Sequence, residues 1–118
     1  MKIQIIGIYD RGSLSNERLH LRALADLDLS FYAILDTFYT SDATIQNGTK
    51  NCYWFPAKSI KAGENVVLYT RSGSESREVK TDGIYHFVFR GLTSAIYTKP
   101  INSSVVFEIM NWLTTSKG

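Results

Sequence analysis

The chain has 118 residues and a mass of 13.3 kDa, enough for one domain spanning 1–118 and too little for a second. Hydrophobic residues make up 44% of it, so a core without covalent staples is within reach, and a single cysteine excludes an internal disulfide framework and a multi-cysteine zinc site. Thirteen Lys and Arg against eleven Asp and Glu leave a net charge of +2, too weak for a dedicated nucleic-acid or membrane-surface binder that works by electrostatics.

Residues 2–9 are rich in isoleucine, a β-branched residue suited to a pleated surface. The apolar positions run Ile3, Ile5 and then change phase to Ile6 and Ile8, which predicts a strand buried on both faces or a bulge near Gly7. In residues 17–23, Leu19, Leu21 and Ala23 alternate with Arg18, His20 and Arg22. Period two predicts a strand with one apolar and one basic face. The rival is a helix capped by Ser15, with Leu21, Leu24, Ala25 and Asp28 at helical spacing. Residues 31–39 read as an aromatic strand interrupted near Asp36, and 41–51 as turn, with Asn47-Gly48 a tight-turn dipeptide. Residues 52–55 form a short apolar strand stopped by Pro56, which has no amide proton to donate.

Residues 61–64 read as a turn into the strand 65–70, and 71–77 as a flexible loop tip. In 84–89, Tyr85, Phe87 and Phe89 share one face and Ile84, His86 and Val88 the other. In 105–110, Val105, Phe107 and Ile109 alternate with Val106, Glu108 and Met110, unless Asn102, Ser103 and Ser104 cap a short helix there. Seven or so short strands separated by turn signals predict an all-β fold, a sandwich of about seven to nine strands.

Four stretches carry a family likeness. They are residues 3–9; residues 17–22 followed by Asp26-Leu27-Asp28-Leu29-Ser30-Phe31-Tyr32 and Asp36; Tyr53-Trp54-Phe55-Pro56 followed by Ile60-Lys61-Ala62-Gly63-Glu64 and residues 66–69; and Gly91-Leu92 with Ile96, Asn102 and residues 105–109. Their order and spacing resemble the lamin tail domain, an immunoglobulin-like β-sandwich of nuclear lamins and many bacterial proteins. The resemblance covers most of the chain. It implies an accessory and interaction domain, and a turn in which Asp26 and Asp28 organise backbone amides, a common role for aspartate. In such a sandwich Tyr32 and Trp54 are expected as large inward anchors. Gly63 supplies a turn conformation that other residues resist, and Glu64 accepts hydrogen bonds from turn amides.

Catalytic signals are sparse. His20 and His86 are the two histidines, and with one cysteine they show no ligand spacing, so no metal and no cofactor is expected. His86 is expected at the sheet surface or as a satisfied core residue, and Cys52 as a small core residue. No phosphate-cradling glycine loop, nucleophile elbow or HExxH pattern occurs, so no catalytic residue is assigned. No window approaches a transmembrane length, the amino terminus lacks signal-peptide shape, and a lone thiol fits a reducing cytoplasm.

The strongest binding feature is the stripe Arg18, His20 and Arg22, whose side chains stand about 6–7 Å apart along one strand face. Lys58, Lys61, Arg71 and Arg77 on predicted turns extend it, and Tyr39, Tyr97 or Trp112 offer rings for stacking. Three readings follow. The first is a non-catalytic module that binds a protein, or its own copy, through a sheet face or edge strand. The second is a nucleic-acid binder using the Arg18, His20, Arg22 stripe. The third is a small hydrolase using Asp26, Asp28, His20 or Cys52.

Overall fold

The computed structural model describes residues 1–41, 44–45 and 51–116. Among these, strands follow in the order β1 (Ile3–Tyr9), β2 (Arg18–Ala23), β3 (Leu27–Asp28), a 3-10 turn (Leu29–Phe31), β4 (Tyr32–Ser41), β5 (Thr44–Ile45), β6 (Cys52–Trp54), β7 (Ser59–Ile60), β8 (Asn65–Tyr69), β9 (Ser76–Lys80), β10 (Gly83–Phe89) and β11 (Asn102–Glu108). One sheet has five strands in the order β1-β2-β8-β10-β9. The second is built on β4, which pairs with β11 on one edge and with β6 and β5 on the other. A small ribbon, β3 with β7, adjoins them. All of these pairings are antiparallel except β8 with β10, which run parallel.

The alternation in β2 decides the layering. Leu19, Leu21 and Ala23 point inward together with Val66 and Leu68 of β8 and Val88 of β10, and meet Tyr32 and Ile34 of β4 across the interior. Ile3, Leu29, Phe55 and Ile60 complete the same core. Each large aliphatic side chain buried this way contributes about 1.5–3 kcal/mol. The strand reading of residues 17–23 therefore stands, and the helix does not form. The phase change in β1 is a bulge: the register with β2 shifts between Ile5 and Gly7.

Several expectations need correcting. β4 runs unbroken through Asp36, because the Asp36 carboxyl accepts from both terminal nitrogens of Arg90, at 2.7 and 3.0 Å. A bidentate guanidinium partner lets a buried carboxylate remain in mid-strand. Trp54 is no inward anchor: its partner in β4 is Ala33, whereas the core residue Ile34 pairs with Tyr53, so Trp54 faces outward and is 49% exposed. Tyr32 is buried as expected, and its hydroxyl donates to Glu108 at 2.8 Å.

The expected loop 71–77 ends at Glu75, and β9 begins at Ser76. All five residues of β9 are exposed, so no apolar alternation marks it in the sequence. Cys52 is exposed rather than a core residue. No helix forms at Asn102, where β11 starts; β11 ends at Glu108, short of Met110. β5 falls inside the expected turn 41–51, and Asn47-Gly48 lies outside the described residues. No helix of the described residues is long and apolar enough to cross a membrane.

Candidate functional site

The register of the five-stranded sheet fixes what its outer face carries. Arg18 lies opposite Tyr69, His20 opposite Val67 and Arg22 opposite Asn65. On the far side of β8, Asn65 lies opposite Tyr85, Val67 opposite Phe87 and Tyr69 opposite Phe89. Tyr9 of β1 lies opposite Arg18. Cross-strand partners share a face, and the intervening residues, Leu19, Leu21, Val66, Leu68 and Val88, are the core. The cationic stripe of β2 and the aromatic stripe of β10 therefore occupy one surface, separated by β8.

The rings on this surface form a continuous row. Tyr9 and His20 have centroids 6.2 Å apart, His20 and Tyr85 6.1 Å, Tyr85 and Phe87 6.3 Å, Phe87 and Tyr69 6.3 Å, and Tyr69 and Phe89 5.3 Å. Cations lie over the ring faces. Arg18 sits 5.5 Å from the Tyr9 centroid, Arg71 4.8 and 5.0 Å from Tyr69 and Phe89, and the Lys80 ammonium 5.0 and 5.5 Å from Tyr85 and Phe87. Such contacts are worth about 0.5–1 kcal/mol each at exposed sites.

The two ends of the row differ. At the Phe89 end, Gly73 lies so close that an added Cβ would fall 2.5 Å from the ring. There Arg71 is anchored by donation to the backbone carbonyls of Ser15 and Ser72. At the other end a cleft of about 310 Å³ opens, lined by Tyr9, Arg18, His20, Tyr85, Phe87 and Lys80, together with Val67, Tyr69 and Asp82. Val67, 6% exposed, is the short side chain between taller rings.

Asn65 organises the cleft from below. Its amide nitrogen donates to the carbonyl of Ile84 at 3.2 Å, which turns Oδ1 toward His20 Nε2 at 2.8 Å and Arg22 Nε at 3.2 Å. An amide oxygen only accepts, so in this arrangement His20 carries its proton on Nε2. Carboxylates border the same surface. Asp10 accepts from Arg18 at 2.7 Å, Glu78 lies 3.7 Å from Lys80, and Asp82 accepts from the Tyr85 hydroxyl at 2.8 Å. The Asp82 bond, aided by desolvation, raises the Tyr85 phenol above its ordinary pKa.

Of the residues expected from sequence, Arg18, His20 and Arg22 stand together as predicted, and Arg71 joins them. Lys58, Lys61 and Arg77 do not extend the patch. Lys58 lies 3.4 Å from Glu75 and Lys61 3.6 Å from Asp26, while Arg77 pairs in register with the inward-facing His86, on the opposite parity from Glu78 and Lys80. Tyr97 is buried, its hydroxyl bonded to Ser104 at 2.6 Å, and burial pushes its pKa up to about 12. Tyr39 and Trp112 are exposed, but neither belongs to the row. Sequence reasoning missed Tyr9, Tyr69, Tyr85, Phe87, Phe89 and Lys80 as a binding set. The alternation in β10 was a usable signal, but its parallel pairing with β8 was not.

The hydrolase set is dispersed. Cys52 pairs with Leu35 on the second sheet, whereas His20 is on the outer face of the first. Asp28 accepts from the backbone N–H and hydroxyl of Ser30, both at 2.9 Å, and from the Lys58 N–H at 3.3 Å. The Ser30 bonds hold its carboxyl below the ordinary value. Asp26 accepts from the Ala62 N–H, which with Lys61 lowers its pKa as well. Both carboxylates organise turns. His86 is a core residue, 3% exposed, bonded through Nε2 to Glu64 at 2.8 Å, with Nδ1 unpartnered. No group of three or more His, Cys, Asp or Glu that would hold a metal occurs among the described residues. Comparison with protein-family models, with curated proteins and with solved structures finds no match in any of the three.

Proposed function

We propose that the chain is a non-catalytic binding module of the immunoglobulin-like, lamin-tail type, and that its working surface is the outer face of the five-stranded sheet. The observation that carries this reading is the row from Tyr9 to Phe89, interleaved with Arg18, Arg71 and Lys80 and left uncovered at its Tyr9 end. Aromatic and arginine side chains supply large contact area and directional bonds, and they dominate the energetics of recognition surfaces. The dispersal of Cys52, His20, Asp26 and Asp28 supports a binding rather than a catalytic role. A protein partner, or a second copy of the chain, is the occupant implied by the lamin-tail resemblance. The exposed free thiol of Cys52 suits a reducing compartment such as the cytoplasm.

Backbone amide NMR of the isotopically labelled chain tests this. Purified partners and defined probes are titrated in, and the perturbed amides are mapped. Perturbations concentrated on β2, β8 and β10, abolished by Arg18→Glu with Lys80→Glu, are expected. Partners that perturb only the second sheet, or a substrate turned over by the wild-type chain, would refute the reading.

A further inference from the structure

We infer that the occupant of this face is a single-stranded nucleic acid, bound mainly by base stacking, with one base entering the cleft above Val67. The inference rests on the binding-module reading for its surface, and replaces the protein occupant implied by the resemblance with one argued from the face itself.

Two features favour this chemistry, and a third sets how it must work. The first is the row itself. At the open end Tyr9, His20, Tyr85 and Phe87, with neighbouring centroids 6.1–6.3 Å apart, offer consecutive ring surfaces beside the cleft. Every base has a π face, so such a row accepts a strand regardless of sequence. A duplex hides its base faces in its own stack and is excluded from the same contact. The second is the cleft. Its volume of about 310 Å³, with Val67 among the rings and Arg18, His20 and Lys80 in its lining, suits a planar ring carrying an anionic backbone. Asn65 holds both His20 and Arg22 in place before any ligand arrives.

The third is the balance of charge. Arg18, Arg22, Arg71 and Lys80 are offset by Asp10, Glu78 and Asp82, of which Asp10 and Glu78 lie beside Arg18 and Lys80. A chain with a net charge of +2 does not hold nucleic acid by counterion release alone. It requires stacking, and stacking is what this face supplies. Lys80 lies over two rings but its side chain is half exposed, so it swings to a phosphate as a base takes its place.

Fluorescence anisotropy provides the test. Single-stranded RNA and DNA of about ten nucleotides, within the roughly 4–16 nucleotides that one small β-domain covers, are titrated with the full chain. The same DNA as a duplex is the control. Single strands are expected to bind at least tenfold more tightly than the duplex. Tyr85→Leu and Phe87→Leu are each expected to weaken binding about tenfold. Arg18→Ala, which removes one cation from the cleft, is expected to weaken single-strand binding and to lower the salt slope by about 0.7, and circular dichroism confirms folding throughout. About three phosphate contacts, at a slope of about −0.7 each, predict a roughly twentyfold loss between about 50 and 200 mM salt.

No single-strand binding at low salt overturns the inference, as does equal affinity for the duplex, affinity unchanged in the folded ring variants, or a loss of about a thousandfold over that salt range. An acidic, tyrosine-containing peptide is titrated in parallel. Peptide binding that maps to this face without oligonucleotide binding defeats the inference and leaves the module reading standing. Oligonucleotide perturbations confined to the second sheet defeat both.

Discussion

Replacing Glu17 by alanine is expected to cost the fold about 3–5 kcal/mol. The side chain is completely buried at the start of β2. Its Oε1 accepts from the backbone N–H groups of Gly12 at 3.0 Å and Tyr97 at 3.3 Å, and its Oε2 from the Ile96 N–H at 2.9 Å and the Thr70 hydroxyl. One carboxyl therefore joins the loop before β2, the end of β8 and the segment that leads to β11. Removing it orphans four donors, each worth about 1–3 kcal/mol when left unpaired. A water entering the polar space left behind re-satisfies some of them, which brings the loss to about 3–5 kcal/mol. That is a large share of the roughly 5–15 kcal/mol typical of a whole domain. Glu17→Gln is the sharper probe. Its amide oxygen retains Gly12 and Tyr97, and the Thr70 hydroxyl turns to accept from the new NH2. The Ile96 N–H then faces a donor, so the loss is about 1–3 kcal/mol. Urea denaturation followed by circular dichroism reads both variants. An alanine variant within about 1 kcal/mol of wild type, or a glutamine variant as damaged as the alanine one, would refute the reasoning.

Two further outcomes follow from local geometry. Burial alone would raise the Glu64 carboxyl, but donation from His86 and from the Lys61 N–H outweighs it and leaves the group below its ordinary 4.5. A depressed carboxyl gives stability that is full above the unfolded value and lost as pH falls through the folded one, so urea midpoints should drop as pH falls below 4.5, and Glu64→Gln should flatten that slope. Trp54 and Trp112 meet edge to face at 5.4 Å, so Trp112→Ala should remove an exciton feature from the far-ultraviolet circular dichroism spectrum and cost about 0.5–1.5 kcal/mol in urea denaturation.

What the sequence reveals and what it hides divide along one physical line. Burial parity is local, so Leu19, Leu21 and Ala23 announce β2 and the core. The same parity places Arg18, His20 and Arg22 outside. β9 is silent because Ser76 to Lys80 is exposed throughout, and Trp54 misleads because an apolar residue on a short strand does not say which neighbour sets its facing. The candidate site needed the order β2-β8-β10, and a parallel pair such as β8 with β10 leaves no hairpin signal to read. Once that order is known, the outer face poses a question that the core does not. The antiparallel strand β2 follows the pattern of a sheet with one face in water, with Arg18, His20 and Arg22 on the outer side. Here the outward positions of β8 and β10 carry Val67, Tyr69, Tyr85, Phe87 and Phe89, none of them in the core cluster. These rings are partly exposed, with Arg71 and Lys80 lying over them. Aromatic area held outside the core, with His20 and Arg22 fixed by the buried Asn65 and both signs of charge at the border, is the pattern on which the proposed binding function rests.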